Sequence, residues 1–203
     1  MSSPRTVLWE VDAQADFMLP GGKLYVPGAE KIIPNIRRLM DAARDTKTLV
    51  VSSRCAHSEN DPEFETFPPH CIRGTAGAEI VSEGTLGSFR VIANDPKGQL
   101  PADILNGPQI VIEKQMLDVF SNPRTAEIVE QLGDAGYVVF GVVTEYCVQC
   151  AAKGLLARGR QVAIVKDAIE ALKPEEGRRV LEGLQAQGAK LISTDEAIRT
   201  LHK

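Results

Sequence analysis

Six short apolar runs constrain this chain more than any other feature of it. Thr6–Asp12, Thr48–Ser52, Gln109–Lys114, Tyr137–Val143, Gln161–Asp167 and Lys190–Thr194 are dominated by Val, Ile and Leu and are too short to be helices. Continuous apolar runs of this length mark strands buried on both faces of a parallel sheet. Between them, Ala29–Thr46, Thr125–Gly133, the stretch opened by Cys147, and Pro174–Gln187 carry apolar residues at helical spacing, and a short helix closes the chain. Pro34 and Pro174 fall near helix starts, where the missing N–H costs nothing. Strand and helix alternate from end to end, which calls for right-handed crossovers and a sheet covered on both faces. The expectation is one α/β domain over 1–203, a Rossmann-like three-layer α/β/α sandwich with a parallel sheet of about six strands.

At 203 residues the chain is long enough to bury a core without disulfide or metal staples. Its net charge of −4 argues against nucleic acid as a partner, because phosphate binding wants a basic face. No apolar stretch approaches a membrane span, so no membrane partner is expected. Met1–Arg5 runs into the first strand without the apolar region of a signal peptide. A cytoplasmic location follows as an expectation, with Cys55, Cys71, Cys147 and Cys150 reduced and available for chemistry or metal.

From Ser53 to about Asn106 the periodicity breaks down, punctuated by Pro62, Pro68, Pro69, Gly74, Gly77, Gly84, Gly87, Pro96 and Pro101. Only Phe89–Ile92 reads as a further short strand. An irregular segment of this length inside a compact domain is usually functional. It holds His57 and His70, and it is expected to wall the active site.

In open α/β sheets the ligand lies beyond the carboxyl ends of the strands. Three reactive side chains fall there: Asp12 ends the first run, Lys114 ends Gln109–Lys114, and Cys147 follows Tyr137–Val143. Each has a plainer reading: a turn former, a solvated charge, a small buried hydrophobe. Cys147 and Cys150 also form a C-x-x-C, which admits a redox pair. A cysteine in the first turn of a helix, however, meets free N–H groups and the helix dipole, which favour the thiolate. A thiolate to attack an acyl carbon, a carboxylate to carry protons and an ammonium to orient both make a set suited to acyl transfer from an amide. The N–H groups of Val143 and Cys147 are placed to stabilise the oxyanion. No phosphate-binding loop, dinucleotide fingerprint or Gly-x-Ser-x-Gly elbow is present.

Val11–Phe17, Phe67–Thr75, Glu113-Lys114 ahead of Phe120-Ser121, and Gly141–Val148 together resemble the isochorismatase-like cysteine hydrolases, nearest to their nicotinamidase branch. The resemblance implies a six-stranded parallel sheet and an Asp-Lys-Cys triad, which falls on Asp12, Lys114 and Cys147. It implies a cis peptide at Val142–Val143 ahead of the oxyanion hole. It implies a divalent metal, zinc foremost with iron or manganese also suited, held by His57, Glu63 and His70, with Asp61 the alternative to Glu63. Cys55 stands where the branch carries a metal-binding Asp and is a candidate fourth ligand. Phe17, Phe67 and Tyr146 fall on the substrate pocket. The implied activity is release of ammonia from a small amide, nicotinamide to nicotinate, through an acyl thioester, in a homo-oligomer. Two other readings stay open: a metal-free relative acting on another small amide, a carbamoyl compound or isochorismate, and a non-catalytic binding protein on the same fold. Glu10 occupies a strand position that is usually apolar in this family, and the sequence assigns it no role.

Overall fold

The computed structural model describes residues 5–202. Seven strands form one sheet: β1 (Thr6–Val11), β2 (Val50–Cys55), β3 (Arg90–Ile92), β4 (Gln109–Lys114), β5 (Gly136–Val142), β6 (Gln161–Glu170) and β7 (Lys190–Ile192). Every pairing is parallel, in the order β3-β4-β2-β1-β5-β6-β7. The expectation of about six is corrected to seven. The addition is the three-residue edge strand β3, which lies inside the Phe89–Ile92 run.

Among the described residues the helices are α1 (Ala15–Met18), α2 (Ile33–Thr46), α3 (Pro123–Gln131), α4 (Gln149–Leu156), α5 (Pro174–Ala186) and α6 (Thr194–Leu201). The apolar faces of α2 and α6 (Ile36, Leu39, Met40, Ala197) pack with Leu8, Val50 and Phe140 on one side of the sheet. Those of α3, α4 and α5 (Ile128, Ala152, Leu155, Leu184) pack with Val7, Trp9 and Ile112 on the other. The result is the expected three-layer sandwich.

Several boundaries differ locally. Residues 29–32 form a 3-10 turn ahead of α2, and the polar stretch that follows β1 contains the short helix α1. Strand β2 runs on to Cys55, beyond the apolar residues, because Ser52 and Ser53 satisfy their hydroxyls on buried carboxylates. No helix among the described residues is long and apolar enough to cross a membrane.

One glycine fixes the centre of the sheet. Gly141 sits at φ +116°, and a Cβ there would meet the Val11 carbonyl oxygen at 2.0 Å. Only glycine lets β5 approach β1 this closely. The two carboxyl ends so brought together carry Asp12 and Val143.

Candidate active site

Chain order reverses at β1, whose neighbours are β2 on one side and β5 on the other. The crevice beyond such a reversal is where open α/β sheets bind ligands. Asp12 leaves β1 with φ 46°, and its N–H donates to the Ser53 carbonyl at 3.1 Å. Its Oδ1 accepts from the Ser53 hydroxyl at 2.7 Å, and its Oδ2 lies 2.9 Å from Lys114 Nζ. Register places Lys114 beside Cys55 across the β2–β4 pair. The ammonium also reaches Cys55 Sγ at 3.1 Å and Cys147 Sγ at 3.5 Å. An ammonium has three donors, and Lys114 has these three partners within 3.5 Å. Asp12 and Lys114 are 1% and 0% exposed, so neither is a solvated turn former or a surface charge.

Cys147 lies in a π-type turn, Thr144–Val148, that leads into α4. The turn follows a cis peptide at Val142–Val143, and the N–H groups of Tyr146 and Val148 both bond to the Val143 carbonyl at 3.1 Å. The helical segment therefore begins three residues before Cys147, which still sits in its first turn. The expected lowering of the thiol is corrected. Burial pushes the Cys147 thiol well above its ordinary value; Lys114 pulls it down, while Asp12 and Cys55 push it further up. Lys114 loses to burial but gains more from Asp12, Cys147 and Cys55, and ends well above its ordinary value. Burial thus favours the thiol form of Cys147, with Lys114 2.9 Å from the Asp12 carboxylate beside it. Cys150 lies in α4, half-buried, away from the residues that line the pocket, and all four cysteines are free.

Beside the triad lie the candidate metal ligands. His57 is fully buried between two carboxylates, with Nδ1 3.0 Å from Asp61 Oδ2 and Nε2 3.1 Å from Glu63 Oε2. A neutral imidazole has one N–H for these two acceptors. With that proton facing Asp61, Nε2 and Glu63 Oε2 face each other as two electron-rich atoms, and neither has a hydrogen-bond partner. That gap suits a cation. His70 Nδ1 lies 2.8 Å from the Pro68 carbonyl, which can only accept, so Nε2 presents its lone pair to the site. Burial lowers the His70 imidazole, which favours the neutral, ligating form. Of the two candidate carboxylates, Glu63 faces the pocket, while Asp61 orients His57 from behind and accepts the Glu63 N–H at 3.0 Å.

The pocket is floored by Asp12, Cys147, Cys55, Glu63 and His70 and walled by Phe17, Leu24, Phe67, Leu117, Tyr146 and Leu172. Phe67 meets Tyr146 edge-on at 5.9 Å, and Phe17 lies 5.3 Å from the His70 ring. The structure therefore brings Asp12, Cys55, Glu63, His70, Val143, Cys147, Phe17, Phe67 and Tyr146 to one crevice, with Lys114 and His57 buried against its floor, while Cys150 stands apart and Asp61 lies behind His57.

Sequence reasoning missed the residues that hold the crevice in shape. Gln14 donates to the carbonyls of Cys55 and Ala78 at 2.8 and 2.7 Å and accepts the Cys55 N–H at 2.7 Å. Asp16 accepts the N–H groups of Cys71 at 2.7 Å and Lys23 at 3.0 Å. Phe64 packs on both imidazoles, at 5.3 and 5.7 Å. The available signal was the alternation of Asp12, Gln14 and Asp16 straight after a buried strand.

Residues 6–92 and 87–196 match the isochorismatase domain. The chain belongs to the isochorismatase family. Within this family, it is 27% identical to the nicotinamidase of Escherichia coli (strain K12), over 94% of this chain and 95% of that one. It is 26% identical, over 84% of this chain and 83% of the relative, to an Arabidopsis thaliana protein described as a probable inactive nicotinamidase. Its fold superposes with TM-score 0.76 on the pyrazinamidase of Pyrococcus horikoshii in complex with zinc, at 30% identity over 94% of this chain and 99% of that one.

Proposed function

We propose that this isochorismatase-family chain is a cysteine amidohydrolase that releases ammonia from a small flat amide such as nicotinamide. The observation that carries the reading is one buried ammonium, Lys114, bridging a carboxylate and a thiol on the floor of an aromatic-walled pocket. Relatives named nicotinamidase support the substrate class.

Attack begins when the Cys147 thiol passes its proton to Asp12 and the sulfur bonds to the amide carbon. Lys114 balances the charge that moves between these two partners, so the buried site never carries an uncompensated anion. The oxyanion is received by the N–H groups of Val143 and Cys147. As the C–N bond breaks, Asp12 returns the proton to the departing nitrogen, and ammonia leaves. Water then attacks the Cys147 thioester and gives its proton to Asp12. Collapse frees the carboxylic acid and restores the thiol with that proton.

Phe17, Phe67 and Tyr146 offer flat apolar faces that would hold a ring against the nucleophile. His57, Glu63 and His70 would hold a divalent ion, which supplies a Lewis-acid contact for a donor atom of the substrate. The orphaned His57 Nε2 and Glu63 Oε2 support that assignment. Zinc suits this donor set, with iron or manganese also fitting it.

Ammonia release over a panel of small amides, with metal content measured on the same sample, tests the reading. Turnover of aromatic carboxamides by metal-loaded protein is expected. Full turnover by metal-free protein would hand the case to the metal-free reading, and no turnover of any amide would favour a binding protein.

A further inference from the structure

We propose that Leu172 is the specificity-determining wall of the pocket, selecting uncharged amides with an apolar substituent on the ring, and that Glu145 is the positioning residue that sets it there. This rests on the amidase reading above and deepens it, from a flat amide to the kind of ring the pocket prefers.

Three leucines line the pocket: Leu24, Leu117 and Leu172. Leu24 packs on the core of one sheet face and Leu117 on that of the other. Leu172 belongs to neither core and is 39% exposed. A single exposed leucine is ordinary on a protein surface. This one differs in that the chain is held against the site on both sides of it.

Leu172 lies between the end of β6 and the start of α5. On the β6 side, Glu170 pairs with Val142, and its carbonyl accepts the Thr144 hydroxyl at 2.9 Å. A Cβ added at Gly177 would meet the Ala171 Cβ at 2.7 Å, so α5 is seated directly on this loop. On the α5 side, the Lys173 N–H donates to Glu145 Oε1 at 2.7 Å. Glu145 is 6% exposed, and its second oxygen has no hydrogen-bond partner among the described residues, so the buried carboxylate makes this one tie. Thr144 and Glu145 both belong to the turn that carries Cys147. One turn therefore places the nucleophile and, through two hydrogen bonds, the stretch of wall at Leu172.

The charge of the pocket narrows the ligand. Its charged lining groups are the carboxylates of Asp12 and Glu63, and no lysine or arginine lines it among the described residues. Lys114 lies beneath, paired with Asp12. An apolar substituent beside Leu172 would be buried against leucine, which favours binding. A carboxylate there would lose hydration with no cation to replace it.

Ammonia release from nicotinamide and from its ring-methylated and ring-carboxylated derivatives tests both residues. The readout is the ratio of kcat/KM for a methylated and for the unsubstituted amide on one sample, which does not change with the fraction of active protein. The wild type is expected to favour at least one methylated ring over nicotinamide and to turn over the carboxylated rings poorly. Leu172→Ala is expected to lower that ratio roughly tenfold, through KM rather than kcat. Leu172→Arg is expected to raise turnover of a carboxylated ring, since it adds the missing cation. Glu145→Ala is expected to lower the ratio as Leu172→Ala does, with no further loss in the double variant. Glu145→Gln, whose side-chain carbonyl can still accept the Lys173 N–H, is expected to keep it. A ratio unchanged in Leu172→Ala, or a wild type that prefers the carboxylated rings, overturns the specificity role and leaves the amidase reading standing. A ratio lowered in Leu172→Ala but unchanged in Glu145→Ala, or losses that add in the double variant, overturn the positioning role. No turnover of any of these amides by the wild type removes the amidase reading, and this proposal with it.

Discussion

Lys114 is the residue on which the proposed chemistry turns, since it touches Asp12 and both pocket thiols from a fully buried position. Lys114→Met removes the cationic partner of the buried Asp12 carboxyl, and breaking a buried ion pair from one side costs about 3–5 kcal/mol. A large fall in the urea midpoint is expected, together with loss of activity. Cys147→Ala removes the attacking atom while keeping a small apolar residue. It is expected to abolish turnover with the melting temperature little changed, and Cys150→Ala to retain most activity. Equal losses in the two cysteine variants would favour the redox pair.

Glu10, which the sequence reading could not explain, is fully buried and accepts the Ser52 hydroxyl at 2.7 Å; Gln109 donates to that same hydroxyl at 2.8 Å and to the Gly84 carbonyl at 3.0 Å. Burial, with Asp12 adding to it against the Ser52 bond, pushes its carboxyl from 4.5 up to about 8. Because the folded value lies above the unfolded one, the native state holds the extra proton. The stability it contributes is complete below pH 4.5 and is lost as pH rises to about 8. Glu10→Gln, a fixed neutral isostere, is expected to flatten the fall of melting temperature across that window. An unchanged slope would show that Glu10 is already ionised in the native state.

At the scale of elements, the strands were legible because each is an apolar run that stops abruptly, and Asp12, Lys114 and Cys147 were legible because they stand at those stops. The bracing was not. Gln14 and Asp16 act through single hydrogen bonds to Cys55, Ala78, Cys71 and Lys23, contacts between distant loops that leave no periodic trace in sequence. The thiol was misread for a related reason: a helix N-terminus is visible in sequence, whereas the burial that outweighs it depends on how the pocket closes. Gln14→Ala leaves three buried backbone groups without partners, at about 1–3 kcal/mol for each left unsatisfied. A lowered denaturation midpoint is expected, since this one side chain ties the end of β2 to the Ala78 loop. Gly141→Ala is expected to destabilise as well, because its Cβ collides with the Val11 backbone.

For the molecule as a whole, the sheet order puts β1 between β2 and β5, and every proposed role follows from what those strand ends and the segment after β2 bring to one crevice. The central claim is a covalent acyl transfer through Cys147. It is tested most directly by turning over an aromatic carboxamide in the presence of hydroxylamine, a nucleophile that competes with water for a thioester. The account expects hydroxamate to form alongside ammonia, its share rising with hydroxylamine concentration, and both products to vanish in Cys147→Ala. Ammonia released with only free acid at every hydroxylamine concentration, or released by Cys147→Ala, would contradict it.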